Sequence, residues 1–360
     1  MSETVLVGAD ALLAFTGRVA RAMGAGDEAA DELARHLISA NLSGHDSHGV
    51  LRLAQYVGEL DRGELRPAAQ TRLLREGAVT ALLDAGHGFG QHSTMVAARW
   101  ALARAREHGL AAAAVRHSMH IGRLGEYTER MAGEGLVGIV TVGVAGPGSG
   151  TVAPFGGAAR FLGTNPWSVG VPAAGRPPLI FDAATSAIAE GKARLALAKG
   201  AQVPAGTLRD QDGQPSQDPA RLYAGGTLTG LGGEVAGHKG FGLSLASALV
   251  GGLAMIQDDA PTSGGTMRPP DSWGSRLAGV FLVAVDPSAF GDALDYQRRV
   301  AEVLDALTQS PPAPGSERVL VPGDPERASR ERRQREGIPL PAATWEDLGG
   351  VAARFGLSLP

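Results

Sequence analysis

Apolar residues recur every three or four positions along the first 65 residues of the chain. In the first segment, the residues with this spacing are Leu12, Leu13, Phe15, Val19, Ala20 and Met23. A repeat near 3.6 residues predicts amphipathic helices. Residues 26–42 predict a second helix with Asp27 as its N-cap, and a third helix is predicted to begin at Asp46 or Ser47. The N-terminal part of the chain is therefore predicted to be helical.

The pattern changes to short apolar runs in the middle of the chain. Strands are predicted at 78–85, 110–116, 136–144, 167–173, 178–183 and 278–287. Helices are predicted at 91–109 and 123–135, a buried helix at 238–255, and a polar loop at 209–223. Because strands alternate with helices, the sequence predicts an α/β core.

Helical spacing returns towards the C-terminus. A helix is predicted at 291–308, followed by a Pro-rich link at 311–317, a short strand at 318–322 and two further helical stretches. We expect the outer helices of both termini to pack together. The predicted division is a discontinuous helical substrate and dimerisation domain, 1–75 plus 290–360, and an α/β cofactor-binding core, 76–289.

Composition excludes several classes of function. The net charge of −4 gives no electrostatic footprint for nucleic acid, and the basic run 327–336 contains Glu331 and Glu336, so we expect a solvated helix face. The absence of cysteine excludes disulfides, zinc–thiolate sites and a Cys nucleophile. No signal peptide is visible, nor the apolar run of about 18 residues that a membrane span needs. We therefore expect a cytoplasmic protein without a nucleic-acid or membrane partner.

Two matches to the Gly-x-Gly-x-x-Gly/Ala dinucleotide pattern lie at 24–29 and 133–138. That pattern binds phosphate only where a strand precedes the glycines and a helix follows them. The first match lies between two predicted helices, and the second follows a helix and precedes a strand. A standard Rossmann domain is therefore not predicted.

Two pairs of histidines with a three-residue spacing are candidates for chemistry. They are His45 and His48, and His117 and His120. Four imidazoles at this spacing could bind zinc from two helical turns, with Glu126 as the nearest carboxylate. A zinc-dependent hydrolase is therefore one alternative, and a simple capped helix start around His48 is another.

A competing interpretation pairs His48 with Arg52. In a helix that begins near Asp46, these residues are four apart and share a face. A guanidinium can bind a carboxylate through two hydrogen bonds, and His48 would then lie near the carbon next to that carboxylate. A helix N-terminus would also lower the proton affinity of His48. The spacing thus favours proton transfer to a 2-oxo acid.

Further polar residues follow predicted strands or begin a predicted helix. Asp182 ends an apolar strand and could orient His48 or Ser47, or else cap the following helix. Lys239 lies between glycines at a predicted helix start and could approach a phosphate. Thr164 and Asn165, in a tight turn before a strand, could hydrogen-bond a ribose or phosphate.

Six windows together resemble the malate/L-lactate dehydrogenase family that is unrelated to the Rossmann lactate and malate dehydrogenases. These windows are 46–52, 120–127, 153–172, 181–192, 237–243 and 321–326. They follow the order of the family and span nearly the whole chain. The resemblance implies an α/β fold with a mixed-sheet NAD(P)-binding core of non-Rossmann type, NAD or NADP as cofactor, and a homodimer.

The resemblance also implies roles for individual residues. His48 resembles the proton donor, Ser47 and Asp182 its relay partners, and Arg52 the clamp for the substrate carboxylate. The residues that resemble cofactor contacts are His120, Ile121, Gly122, Arg123, Leu124, Thr164, Asn165, Pro166, His238 and Lys239, with 321–327 as a further contact. No metal ligand is implied.

The resemblance, together with the spacing of His48 and Arg52, thus implies an NAD(P)-dependent 2-hydroxyacid dehydrogenase that interconverts a 2-oxo and a 2-hydroxy carboxylate. Hydride would come from the nicotinamide and the proton from His48. The nearest alternative is a reductase of cyclic imino acids, in which the same Arg52 would hold the carboxylate. The sequence alone leaves open the choice between NAD and NADP and the identity of the substrate.

Overall fold

The computed structural model describes residues 4–198, 200–256 and 277–360. The helices are α1 (Ala9–Ala22), α2 (Asp27–Leu42), α3 (Arg52–Asp61), α4 (Gly90–His108), α5 (Gly125–Gly133), α6 (Glu190–Ala198), α7 (Ala220–Tyr223), α8 (Gly233–Gly251), α9 (Ala293–Gln309), α10 (Asp324–Glu336) and α11 (Ala342–Arg354). The strands are β1 (Thr4–Val7), β2 (Arg72–Glu76), β3 (Thr80–Asp84), β4 (Leu110–Arg116), β5 (Val137–Ala145), β6 (Trp167–Val171), β7 (Leu179–Ala183), β8 (Leu208–Arg209), β9 (Pro215–Ser216), β10 (Thr227–Leu228), β11 (Leu277–Val285) and β12 (Ile338–Pro341). Among these helices, none has both the length and the apolar character needed to cross a membrane.

Seven strands form a mixed central sheet in the order β2-β3-β4-β11-β5-β6-β7. The β3 and β4 strands pair in parallel, and the other neighbours pair antiparallel. It follows that β3, β4, β5 and β7 all run in the same direction. Their carboxyl ends therefore meet along one side of the sheet, here called the carboxyl edge. This sheet confirms the predicted α/β class.

Strand β4 is rich in alanine, a residue that prefers helices. Its Ala111 and Ala113 share a buried core cluster with Ala98, Ala101 and Ala105 of α4. These small side chains let the helix lie close to the sheet, and the two flanking strands supply the backbone partners of β4. Tertiary packing therefore overrides the local preference.

The two termini meet in a second core. Leu12 and Phe15 of α1 pack with Leu37 of α2, Tyr56 of α3 and Leu348 of α11. Beside this core, β1 pairs antiparallel with β12, from Thr4–Pro341 to Val7–Ile338. The expected packing of the outer helices is therefore present, and it includes a strand pair that the sequence did not predict.

The division into two domains stays a prediction, and the contacts alter its limits. Strand β2 belongs to the central sheet, so the sheet begins at Arg72 rather than after residue 75. Helix α9 lies against the core instead of the terminal helices, since Ala174 N donates to Gln297 O at 3.1 Å and Arg176 pairs with Asp305. Residues 257–276 of the predicted core lie outside the described residues.

Two predicted helix starts near the N-terminus are wrong. The N-cap position of α2 is Gly26, and Asp27 is its first residue. The third helix does not begin at Asp46, because Asp46–His48 form a short 3-10 turn and Gly49 is extended, with φ −90° and ψ −153°. A Cβ at Gly49 would lie 2.2 Å from Asn41 Oδ1 of α2. The chain is pressed against α2 at this point, and α3 begins only at Arg52.

Three later predictions also need correction. Residues 318–322 do not form a strand, because they have isolated hydrogen bonds, such as Ile180 N to Pro322 O at 3.2 Å, instead of a strand ladder. The polar loop 209–223 contains the end of β8, the strand β9 and the helix α7. Helix α8 begins earlier than predicted, at Gly233, and is buried on one side only, since Leu243 and Leu249 are exposed.

The close packing of α8 on the sheet can be tested at Gly143 of β5. A Cβ there would lie 2.5 Å from Ala248 N of α8, so the helix backbone would have to shift. We expect Gly143→Ala to lower the free energy of unfolding by about 2 kcal/mol. Gly133→Ala is the matched control, since a Cβ there meets nothing within 4 Å. Equal urea-denaturation midpoints for the two variants would contradict this packing.

Candidate active site

The turn between α2 and α3, residues 44–50, carries the central residues of the candidate site and is called the site turn. Gly44, at φ +83°, lets the chain leave α2. The Asn41 side chain then holds the turn at two points. Its Oδ1 accepts from Val50 N at 2.9 Å, and its Nδ2 donates to Asp46 Oδ1 at 2.7 Å. One amide therefore fixes both ends of the turn.

Helix α10 holds the site turn from the other side. Arg333 donates to both carboxylate oxygens of Asp46, at 2.6 and 3.0 Å, and Glu326 Oε1 lies 3.1 Å from His45 Nε2. The prediction of a solvated face for 327–336 is therefore wrong for Arg333. Its counter-charge comes from a distant part of the chain, which local charge alternation cannot reveal.

Two imidazole rings stack at the centre of the site. Ser47 Oγ lies 3.0 Å from His48 Nδ1, and the ring centroids of His48 and His120 are 5.6 Å apart. The Tyr56 hydroxyl accepts from Gln91 Nε2 at 2.7 Å and lies 2.8 Å from His120 Nδ1. Because Gln91 donates to this hydroxyl, Tyr56 has its own proton available for His120 Nδ1, and the tautomer of His120 that accepts it carries its proton on Nε2.

The electrostatics of the site keep both rings neutral. Burial, together with the charges of Arg52 and His45, lowers the pKa of His48 to about 3. Burial also lowers the pKa of His120 well below its ordinary value. The direction agrees with the prediction for His48, but the main cause is burial instead of the field of a helix N-terminus.

Arg52 is the first residue of α3, so it does not share a continuous helical face with His48. The two are brought together because the Arg52 side chain folds back over the site turn. Its Nε donates to Ser47 O at 2.6 Å, and its Nη1 donates to Gln55 Oε1. Both acceptors are neutral, so the positive charge of the guanidinium remains available to an anion.

Asp182 has a different partner from the predicted one. Its Oδ2 accepts from Gly125 N at 2.7 Å and lies 3.8 Å from Arg123 Nε. Within the residues that the structure describes, it makes no hydrogen bond to Ser47 or His48. Nor does it cap the helix that follows it, since α6 begins only at residue 190, and the amide that it binds is the first of α5. Burial raises the pKa of this carboxyl group.

The predicted cofactor loop 120–124 is shaped by a buried histidine. Arg123 N donates to His36 Nε2 at 2.9 Å, and Gly122, at φ +73°, passes so close that a Cβ would lie 2.2 Å from the same nitrogen. The Ile121, Arg123 and Leu124 side chains are buried. The prediction that these three contact a cofactor therefore survives only for their backbone atoms.

The turn before β6 is held by its own asparagine. Asn165, at φ +38°, accepts from Val144 N at 3.0 Å through Oδ1 and donates to Ser244 O at 3.0 Å through Nδ2. The Thr164 and Pro166 carbonyls also accept protein hydrogen bonds. The Asn165 side chain is thus occupied by the protein, which is contrary to the predicted contact with a ribose or phosphate.

On α8, His238 and Lys239 are exposed, and the ring of His238 stands edge-on to Phe155 with centroids 5.7 Å apart. Because α8 begins at Gly233, Lys239 lies beyond its first turn. The prediction of a lysine at the helix start is therefore wrong, although its ammonium group remains accessible to an anion.

The loops that carry these residues converge on the carboxyl edge. Residues 117–124 follow β4, 146–150 follow β5, and 164–166 lead into β6. The Ser149 hydroxyl is buried there without a hydrogen-bond partner in the described part of the chain. Ser149 and Thr164 offer hydroxyl groups and the exposed Lys239 offers a cation, and this chemistry fits the hydroxyl and phosphate groups of a dinucleotide.

The four histidines of the zinc alternative have separate partners. His45 pairs with Glu326, His48 stacks on His120, and His117 Nδ1 lies 3.1 Å from Asp84 Oδ1. Across residues 4–198, 200–256 and 277–360, no group of three or more His, Cys, Asp or Glu side chains could hold a metal ion. The geometry therefore gives the zinc alternative no support.

Sequence reasoning missed several residues that shape the site. They are His36, Asn41, Tyr56, Gln91 and Arg333. Only His36 carried a usable signal, because it is a histidine on the apolar side of a predicted amphipathic helix. The others act across long sequence separations, which periodicity does not report.

Comparisons with known proteins cover nearly the whole chain. The family profile described as malate/L-lactate dehydrogenase matches residues 7–349. Hydroxycarboxylate dehydrogenase B of Escherichia coli strain K12 is 36% identical over 357 residues, which are 97% of this chain and 94% of that protein. The structure of malate dehydrogenase from Entamoeba histolytica superposes with a TM-score of 0.89 at 27% identity and covers 99% of this chain and 100% of that one. The structure of delta1-piperideine-2-carboxylate reductase from Pseudomonas syringae superposes with a TM-score of 0.81 at 31% identity and covers 97% of this chain and 100% of that one.

The neutral state of His36 predicts a pH effect on stability. Burial lowers the pKa of His36 to about 3 in the folded protein, whereas in the unfolded chain it is about 6.5. Between these two pH values, His36 is protonated in the unfolded chain and neutral in the folded protein. The contribution of neutral His36 to the free energy of unfolding is therefore lost as the pH falls below about 6.5. On going from about pH 7.5 to about pH 5.5, wild type should lose about 1 kcal/mol more than His36→Gln. Urea denaturation with His108→Gln as control measures this, and equal pH dependence in wild type and His36→Gln would contradict it.

Proposed function

Because the chain belongs to the malate/L-lactate dehydrogenase family, we propose that it interconverts a 2-oxo carboxylate and a 2-hydroxy carboxylate with NAD or NADP. The observation that carries the proposal is the joint position of His48 and Arg52. A neutral imidazole held by Ser47 lies beside a guanidinium anchored on the carbonyl of the same serine. These are the proton donor and the carboxylate clamp that the reaction requires.

In this proposal, Arg52 binds the substrate carboxylate with the N–H groups that have no partner among the described residues. Ser47 occupies His48 Nδ1, so His48 Nε2 faces the substrate oxygen. A bound carboxylate offsets the charge of Arg52, one of the causes that lower the pKa of His48. That pKa then rises, and the ring can take up the proton that it donates. The nicotinamide, when bound, supplies the hydride.

The cofactor is proposed to lie along the carboxyl edge. His120 and the backbone of 121–124 would contact it near His48, and Thr164 would contact it beside β6. The exposed His238 and Lys239 of α8 would hold its phosphates, which a cation binds well. For Asp182 the proposal is a positioning role, because it fixes the Gly125 amide at the start of α5.

We also propose that two copies of the chain associate in the cytoplasm. The α8 helix and the turn after it expose apolar side chains, namely Val235, Leu243, Leu249, Leu253 and Ile256. Exposed apolar surface of this kind is typical of a protein interface. This surface belongs to the α/β core, so the proposed interface differs from the sequence prediction, which assigned dimerisation to the helical domain 1–75 plus 290–360.

Reduction of a cyclic imino acid is the second candidate, because the fold is shared with the reductase from Pseudomonas syringae. Arg52 would hold the same carboxylate, and His48 would face a C=N group. The names hydroxycarboxylate dehydrogenase B and malate dehydrogenase favour the oxo acid. Assays of pyruvate, phenylpyruvate, oxaloacetate and a cyclic imine, each with NADH and NADPH, separate the two functions.

Replacement of His48 by alanine removes the proposed proton donor. We expect kcat to fall about 10³-fold, which is typical for loss of a general acid, while NAD(P)H binding stays unchanged. Steady-state kinetics and fluorescence titration of the cofactor measure the two effects. His108→Ala, at the far end of α4, is the control and should behave as wild type. Full activity in His48→Ala would rule out this assignment.

Arg52→Lys keeps the charge but loses the planar pair of donors. We expect KM for the 2-oxo acid to rise about 30-fold, with a smaller change in kcat, because a two-point contact with the carboxylate is lost. Initial-rate measurements at saturating cofactor test this. An unchanged KM would mean that the carboxylate binds elsewhere.

A further inference from the structure

A chain of hydrogen bonds extends from Arg52 along helix α3. Arg52 Nη1 donates to Gln55 Oε1, and Gln55 Nε2 donates to Glu59 Oε1 at 2.7 Å. The spacings of three and four place these residues on one face of the helix. On its other side, the Nε of Arg52 donates to Ser47 O. Two acceptors from different parts of the chain therefore fix the plane of the guanidinium.

We propose that Gln55 and Glu59 are positioning residues that hold Arg52 in the orientation that receives the substrate carboxylate. The inference rests on the proposed function, since it assigns Arg52 as the clamp. A guanidinium has five N–H groups, of which the protein uses the Nε–H and one on Nη1. Among the described residues, the other Nη1 proton and the two Nη2 protons have no partner. One proton of Nη1 and one of Nη2 make up the end-on edge of a guanidinium, which matches a carboxylate.

Glu59 determines which way the Gln55 amide points. An ionised carboxylate can only accept hydrogen bonds, so it binds the NH₂ group of Gln55 and turns the Gln55 oxygen towards Arg52. A neutral amide at position 59 could also donate a hydrogen bond, so the Gln55 amide could rotate. Its NH₂ group would then face the guanidinium of Arg52, and two donors cannot form a hydrogen bond with each other. Glu59 thus acts on the orientation of Arg52 through a neutral residue, and no carboxylate among the described residues hydrogen-bonds the guanidinium.

The carboxyl group of Glu59 lies in an environment that is unfavourable for a charged group. Only 9% of the residue is exposed, and its Oε2 is buried without a hydrogen-bond partner among the described residues. Burial raises the pKa of this carboxyl group, which shows that its charged form is disfavoured. A buried, half-satisfied carboxylate is an unfavourable choice for packing alone. A role in orienting the clamp explains why an acid occupies this position.

The test compares three variants, in each of which the new side chain has nearly the same volume as the one that it replaces. Gln55→Glu places a carboxylate directly on Arg52, and Glu59→Gln removes the charge that orients Gln55. Asp61→Asn, on the same helix but paired with Arg354, is the control. The measurements are KM and kcat for the 2-oxo acid, the dissociation constant of the analogue oxamate with cofactor present, and the midpoint of thermal unfolding.

We expect KM and the oxamate dissociation constant to rise about tenfold in Gln55→Glu and about threefold in Glu59→Gln, with kcat at saturation nearly unchanged. Glu59→Gln should also unfold at a higher temperature, and Asp61→Asn should match wild type in both constants. Wild-type carboxylate affinity in Gln55→Glu and Glu59→Gln would overturn the inference. If wild type reduces none of the oxo acids, yet oxamate binding weakens in both variants, the proposed function fails and the positioning role stands. No oxamate binding by wild type would overturn both.

Discussion

The ion pair between Asp46 and Arg333 is the contact on which the geometry of the site depends. It joins the site turn, near the N-terminus, to α10, near the C-terminus, through two hydrogen bonds at 2.6 and 3.0 Å. Because the pair is bidentate and Arg333 is largely buried, it fixes the orientation of the site turn better than a single exposed ion pair would. Helix α10 is followed at once by β12, whose partner is β1. The position of His48 therefore depends on both ends of the chain having folded together.

Desolvation gives the site its chemical character. Burial keeps His36, His48 and His120 neutral, and it does so beside an Arg52 whose hydrogen-bond acceptors are also neutral. Such an arrangement disfavours protonation of the imidazoles and attracts a carboxylate to Arg52. In the proposed mechanism, the anion that binds Arg52 also raises the pKa of His48, because it offsets one of the charges that lower this pKa. Substrate binding and proton uptake are coupled in this account by one local charge.

The sequence predicted best where the partners of a segment are close along the chain. Alternating helices and strands from α4 to β5 lie near their predicted limits, and the α/β class and the family are confirmed. Strand β1 was missed because its partner lies at 338–341. The helix expected at Asp46 fails because Asn41 of another helix presses on Gly49. The resemblance located the motif around 120–124 but not which of its side chains turn inward, since that depends on how His36 holds the loop.

The central claim is that Arg52 and His48 act together on one 2-oxo acid. A crystal structure of the complex with NAD(P)H and oxamate, a non-reactive analogue, tests it most directly. We expect the oxamate carboxylate to bind the end-on edge of Arg52 and its carbonyl oxygen to lie about 3 Å from His48 Nε2, within hydrogen-bonding distance. Oxamate bound with its carboxylate away from Arg52, or its carbonyl out of reach of His48, would contradict the account.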